Sequence, residues 1–208
     1  MKLTWTLDLR SKFGPIRDQG ERPTCLAFAS SAVHEFARSS TTPFSPEFLY
    51  FHGRNNQNIP GLSLPEVQIA LRTHGQPDES ECPYFLTEPT SAWTPTVPKN
   101  TKRTNSDIST ADAAMVESYL RNSNPVVIGV HLNSIFFDPR APWIIKANGE
   151  REGLHALVVV GLASYGKKQL YAVRNSWGAD WADSGYAYLT EDFLKQSLAG
   201  MLVIKEEV

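Results

Sequence analysis

Pro23-Thr24-Cys25-Leu26-Ala27-Phe28-Ala29-Ser30-Ser31-Ala32-Val33-His34-Glu35-Phe36-Ala37 is the stretch whose reading decides the fold. Leu26, Ala29, Val33 and the Phe36-Ala37 pair recur at helical spacing, which gives the segment an apolar face. Pro23 stops the helix from extending backward, and Thr24 stands where a cap is wanted. The helix is therefore expected to start at Cys25 and to be largely buried. A cysteine in such a helix is ordinarily a small hydrophobe. At the N-terminus its thiol meets the positive end of the helix dipole, which favours thiolate, the nucleophilic form.

Upstream, residues 1–20 read as an extended, turn-rich lead-in punctuated by Pro15, Asp18 and Gly20. Downstream, Ser45-Pro46-Glu47-Phe48-Leu49-Tyr50-Phe51 reads as a second helix, capped by Ser45 with Pro46 at its first position. Ser63-Leu64-Pro65-Glu66 has capping-box spacing. Val67, Ala70 and Leu71 give this third helix an apolar face that ends by Gly75. Residues 86–109, rich in Thr, Ser and Pro, read as a long surface loop, and a fourth helix is expected from Thr110 to Arg121. The pattern then turns β-rich at 125–132, 155–162, 169–174, 185–189 and 201–205, consistent with an antiparallel sheet or partial barrel. Helices first and strands second make an α+β arrangement of two lobes. The expectation is one domain over 1–208, with a helical lobe over roughly 1–109 and a β-rich lobe over 110–208.

The 208 residues are 41% hydrophobic and 20% charged, with a formal net charge of -2, as in an ordinary globular chain. No basic stripe argues for a nucleic-acid partner. The longest apolar stretch, Ala156 to Ala163, reads as a buried strand and is too short to span a bilayer. Met1 to Trp5 lack the apolar core of a secretory signal. With two cysteines, Cys25 and Cys82, free thiols in a reducing, cytoplasmic setting are the expectation. No Cys/His spacing resembles a metal site, and no cofactor is expected. His34, His52, His74 and His131 have no motif context and read as surface or packing residues.

Three further segments bear on Cys25. Gln19-Gly20 lies shortly before it, in Gly14-Pro15-Ile16-Arg17-Asp18-Gln19-Gly20-Glu21-Arg22-Pro23-Thr24-Cys25. The second is Gly153-Leu154-His155-Ala156-Leu157-Val158-Val159-Val160-Gly161. The third is Asn175-Ser176-Trp177-Gly178, followed by Trp181 and the Gly185-Tyr186 pair. In that order and at those separations they closely resemble the active-site segments of the papain-like cysteine peptidases. The resemblance covers nearly the whole chain. It implies a two-lobed fold with the active-site cleft between the lobes. Cys25 would be the nucleophile, His155 its general base, Asn175 the residue orienting His155, and Gln19 an oxyanion donor beside the Cys25 backbone N–H. Trp177 would shield the His155–Asn175 bond. Substrate would lie extended near Gly61-Leu62-Ser63, with Gly61, Leu62 and Leu154 as substrate-binding residues. The loop 136–153 would border the leaving-group side.

The sequence departs from the family pattern at several positions. Arg22 and Pro23 stand where Cys and Gly are common, and the absent Cys usually forms a disulfide. Leu26 stands where Trp is usual, Leu154 where Asn or Asp is common, and Ala182 where Gly is usual. A less polar neighbour at 154 is expected to lower the His155 pKa. Because few residues precede the active-site segment, control is expected from elsewhere: narrow specificity, a cognate inhibitor or immunity protein, excision from a larger protein, or delivery into another cell. The leading expectation is a cysteine endopeptidase acting on a protein or peptide substrate, with a bacterial toxin or effector protease as its specialised form. An acyl-transfer enzyme (deamidase, transamidase or ligase) on the same triad and an inactive protein-binding module remain open alternatives.

Overall fold

The structure is a computed structural model that describes residues 3–54, 59–110 and 112–205. Residues 1 and 2 of the expected lead-in and Ala111 of the expected fourth helix lie outside the described residues. The elements run β1 (Thr4–Asp8), α1 (Cys25–Ala37), α2 (Pro46–Gly53), α3 (Leu64–Thr73), β2 (Ser106–Ser109), α4 (Ala113–Arg121), β3 (Val126–Leu132), α5 (Ser134–Phe137), β4 (Ile144–Ile145), β5 (Gly153–Tyr165), β6 (Lys168–Arg174), β7 (Tyr186–Thr190), α6 (Glu191–Ser197) and β8 (Leu198–Ile204). The strands form one eight-stranded sheet in the order β2-β8-β3-β5-β6-β7-β4, with β1 also paired to β5. Pairing is antiparallel except for the two-residue β4, which runs parallel to β7.

β5 explains why the sequence runs apolar without interruption there. Leu157 and Val159 point into one core with Val126, Ile128 and Val130 of β3 and with α4 and α6. Ala156, Val158 and Val160 point into a second core with Leu26, Ala29 and Val33 of α1, and with α2 and α3. A strand buried on both faces loses the polar half of its alternation. A bulge between Val159 and Gly161 then flips the register, so that Leu162 joins the first core. Gly161 sits where β1 crosses closely: a Cβ there would meet the Leu7 carbonyl oxygen at 2.7 Å.

The expected elements hold, with local differences. Ser45 Oγ caps α2 by accepting from Phe48 N–H at 3.0 Å. At α3, the Glu66 carboxylate accepts from both the N–H and the hydroxyl of Ser63, at 2.7 and 2.8 Å. Thr24 precedes α1 but its side chain makes no cap bond there; its hydroxyl pairs with Tyr84 Oη at 2.8 Å instead. The fourth helix starts later than expected, at Ala113, because Asp112 caps it by accepting from Ala114 N–H at 2.8 Å. The lead-in and the long loop each hide a strand: β1 pairs with Leu162–Ser164 and neighbours on β5, and Ser106–Ser109 with β8. Neither has a run of apolar residues long enough to be seen without its partner.

His34 is fully buried at the centre of the helical core. Gln76 spends both amide protons on Ser31 Oγ and the Ser45 carbonyl, at 2.6 and 2.9 Å. Its Oε1 must therefore accept from His34 Nδ1–H at 3.0 Å, which leaves Nε2 to accept from Arg38 Nε at 3.3 Å. Burial chiefly, with Arg38 and Lys102 nearby, pushes the imidazole down to about 4 against the pull of Gln76. The unfolded chain binds this proton below about pH 6.5 while the folded chain refuses it, so stability falls as pH drops from there toward 4. Glu35, pushed up to about 7 mainly by burial, acts in the opposite sense. His34→Gln should therefore flatten the acid side of the thermal-unfolding midpoint against pH. Equal slopes for variant and parent would show that His34 is not held neutral.

Candidate active site

Two segments far apart in sequence are laid side by side to make the site. Asp18 forms an isolated bridge with Trp177, Gln19 N–H donates to the Ser176 carbonyl at 2.9 Å, and Gly178 N–H donates to the Arg17 carbonyl at 3.2 Å. Ser176 Oγ donates to Gln19 Oε1 at 2.7 Å, and Gln19 Nε2 donates to the Arg22 carbonyl at 2.8 Å. The amide is thus oriented, and its second N–H is uncommitted among the described residues. Gln19 lines a cleft of about 690 Å³ together with Cys25 and Leu26 at the start of α1, Pro60 to Pro65, Leu154 to Ala156 at the start of β5, Trp177, and Ala199-Gly200 at β8. The lining is mostly apolar, with its few polar groups converging from both halves of the chain.

Cys25 is the first residue of α1 and partly exposed, whereas Cys82 is buried. Its backbone N–H belongs to the first helical turn, where no intrahelical acceptor exists. His155 is the third residue of β5 and its ring is buried. Nε2 lies 2.7 Å from Asn175 Oδ1, which also accepts from Ser176 N–H at 2.8 Å. Asn175 Oδ1 is thereby the acceptor and His155 Nε2–H the donor, so Nδ1 carries the lone pair of the neutral ring. Among the described residues no hydrogen bond joins Cys25 to His155. Both side chains line the same cleft.

An aromatic cluster closes one side of His155. Trp177 lies with its ring centroid 4.6 Å from the imidazole, tilted by 43°. Trp177 in turn packs on Phe136, Phe137 and Trp181 at 5.6, 5.8 and 5.9 Å, and the Trp181 indole N–H donates to the Phe136 carbonyl at 3.1 Å. Phe136 is fully buried, so the start of the 136–153 loop is core, while Phe137 is half-exposed beside the cleft. Gly61, Leu62 and Leu154 all line the cleft; Leu154 is 64% exposed there, a large apolar side chain held in solvent. Ala182 takes φ of +49°, the left-handed region, which accounts for the glycine usual at that position.

Burial dominates the ionisation of the site. It pushes the Cys25 thiol above its ordinary value, against the backbone N–H groups of Ala156, Leu26 and Cys25 itself. It pushes His155 down to about 4, with the Asn175 bond pulling the other way. Desolvation of the sulfur outweighs these backbone N–H groups. Each charge is disfavoured by itself; only a proton passed from one to the other creates two charges that stabilise each other.

Sequence reasoning had placed Gln19, Cys25, His155, Asn175 and Trp177, and the structure brings all five to one cleft and its wall. It had missed Ser176 as the partner fixing Gln19, and Tyr84, whose hydroxyl donates to the Gln19 carbonyl at 2.7 Å. Nothing in the spacing of a serine or tyrosine announces such a contact.

The fold and site define a class: an α+β fold in which a helix-borne thiol and a strand-borne imidazole line one cleft. The sequence pattern described as papain family cysteine protease matches residues 3–203, and the chain belongs to that family. Gamete and mating-type specific protein A of Dictyostelium discoideum is 29% identical over 204 residues, covering 90% of this chain and 42% of that protein. Peptidase 1 of Dermatophagoides farinae is 28% identical over 201 residues, covering 88% of this chain and 59% of that protein. The chain thus spans about half the length of the curated relatives it matches. Among solved structures, xylellain, a cysteine protease from Xylella fastidiosa, superposes with a TM-score of 0.81 at 22% identity, over 97% of this chain and 85% of that one. The Carica candamarcensis cysteine protease CMS1MS2 in complex with E-64 gives a TM-score of 0.76 at 20% identity, over 97% and 98%. Identities this low speak to the fold alone.

Trp177→Ala should open His155 to solvent and return its pKa from about 4 toward the ordinary imidazole value near 6.5. A proton NMR titration of the His155 ring reads the shift directly. A value unmoved in the variant would mean that other groups exclude water from the ring.

Proposed function

We propose that this chain is a cysteine endopeptidase that cleaves peptide bonds of protein substrates. The observation that carries the reading is one cleft holding Cys25 at a helix N-terminus, His155 fixed on Asn175 Oδ1 at 2.7 Å, and the oriented Gln19 amide. Substrate enters extended along Gly61 and Leu62 with an apolar side chain against Leu154. Its carbonyl carbon takes the Cys25 sulfur while the thiol proton passes to His155 Nδ1. The oxyanion so formed is met by the Cys25 backbone N–H and the free N–H of Gln19, donors each worth about 3 kcal/mol in comparable sites. His155 then gives its proton to the leaving amine, and a thioester remains on Cys25. Water attacks it with His155 as base, releasing the acid and restoring the thiol. Asn175 keeps the ring turned toward sulfur throughout, and Trp177 keeps water off the bond that does so.

A lysate incubated with this protein and, separately, with its Cys25→Ala variant distinguishes the readings by the new protein N-termini that appear. New termini only with the parent establish a protease. A handful of sites points to a dedicated target, as a toxin or effector with a cognate inhibitor would have, and many sites to a degradative enzyme. No new termini in lysates from several sources, with the parent protein folded, would overturn hydrolysis in favour of acyl transfer or binding. Asn175→Ala should lower kcat by about tenfold or more without abolishing turnover, because it releases the ring orientation and leaves nucleophile and base in place.

A further inference from the structure

Position 22 lies on the turn between Gln19 and Cys25, and its side chain is buried among charges that the proposed chemistry does not use. Arg22 is 5% exposed and Glu47, on α2, is 1% exposed. They form a two-pronged pair, Nη1 to Oε2 at 2.5 Å and Nη2 to Oε1 at 3.0 Å. Two further N–H groups of the guanidinium are also engaged: Nε donates to Glu88 at 2.8 Å, and Nη1 to the Phe85 carbonyl at 2.7 Å. The rings of Tyr50 and Tyr84 flank it at 5.4 and 5.0 Å. A fork with this many fixed partners has one orientation.

The backbone of the same residue does the linking. The Arg22 carbonyl accepts from Gln19 Nε2 at 2.8 Å and from Thr24 N–H at 2.8 Å. Tyr84, stacked beside the guanidinium, donates its hydroxyl to the Gln19 carbonyl at 2.7 Å and pairs with the Thr24 hydroxyl at 2.8 Å. Both ends of Gln19 are thus tied to the group that Arg22 anchors. Among the described residues, the remaining polar contact of the Gln19 side-chain amide is Ser176 Oγ. Gly20 within this turn has φ of +61°, and its N–H donates to Asp18 Oδ1 at 2.8 Å.

We propose that Arg22, through its buried pair with Glu47, is the positioning residue for the Gln19 amide: it fixes the carbonyl that holds Gln19 Nε2 and so aims the second N–H into the cleft. The inference rests on the reading of this cleft as an acyl-transfer site. It gives that turn an electrostatic clamp where the sequence has no cysteine to cross-link it. Such a clamp is indifferent to thiol reductants and acts on the oxyanion donor, not on the nucleophile.

The discriminating variant is Arg22→Met with Glu47→Leu, since apolar replacement of both partners of a buried pair commonly leaves a folded protein, whereas removing one strands the other charge. On a fluorogenic peptide, the double variant should lose about tenfold to a hundredfold in kcat at nearly unchanged KM. Alkylation of Cys25 by iodoacetamide, which develops no oxyanion, should stay within about twofold of the parent. In a Gln19→Ala background the same replacement should cost less than about twofold, because the group it aims is gone. Arg22→Lys, which keeps the charge and loses the fork, should show the same pattern more weakly, and it carries the test if the double variant does not fold. A folded variant that keeps parental kcat, an equal loss with and without Gln19, or an equal loss in alkylation would each overturn the proposal. The Gln19 side-chain amide protons, read by NMR, give an arm independent of turnover. Two dispersed signals in the parent should collapse toward free-glutamine positions in the variant, and unchanged signals would also overturn it. A parent with a fixed Gln19 amide and no turnover on any peptide would sink the protease reading and leave the positioning claim standing.

Discussion

The site depends on one packing constraint: α1 lies across a strand, β5, that is buried on both of its faces. Ala156, Val158 and Val160 meet Leu26, Ala29 and Val33 of the helix, while Leu157 and Val159 meet the opposite core. Burying a side chain of this size is worth about 1.5–3 kcal/mol, so sliding either element would expose several at once. Because a strand reverses faces at every residue, a one-residue slip would also exchange the two cores. The register that satisfies both cores is the one that leaves His155 lining the cleft as the first residue of the buried run, and Cys25 at the partly exposed start of the helix.

That placement sets the electrostatics. The cleft is mostly apolar, and the sulfur and imidazole are desolvated by the same surfaces that fix them. The thiol is therefore pushed up and the imidazole down, and neither group holds a charge at neutral pH on its own. Polar groups and one ring surround the imidazole and the Gln19 amide: Asn175 accepts from the imidazole, Ser176 Oγ and the Arg22 carbonyl orient the Gln19 amide, and Trp177 packs on the His155 ring. The outer ring is as closely specified as the inner one. Arg22 and Glu47 hold the Gln19 turn, and Gln76, with both its protons and its oxygen committed, holds α1 to the start of α2.

Periodicity and capping chemistry alone determined that helices come first and strands second, that a helix begins at Cys25, and that 155–162 is a buried strand; these signals are local and repeat within one element. The motif residues Gln19, Cys25, His155, Asn175 and Trp177 were legible because the segments that carry them resemble the active-site segments of the papain family, in the same order. What only the tertiary structure decided is everything that depends on pairs distant in sequence. Strands β1 and β2 exist because β5 and β8 offer them edges, and neither has a pattern of its own. The fixing of Gln19 by Ser176 spans 157 positions. Arg22 reads in sequence as a lost cysteine and proves in space to be a buried cation paired with Glu47. The ionisation of Cys25 also depends on the fold: its place at the helix terminus is a local fact that favours thiolate, but desolvation is a property of the whole folded surroundings, and in the cleft it pushes the thiol up against the backbone N–H groups around it.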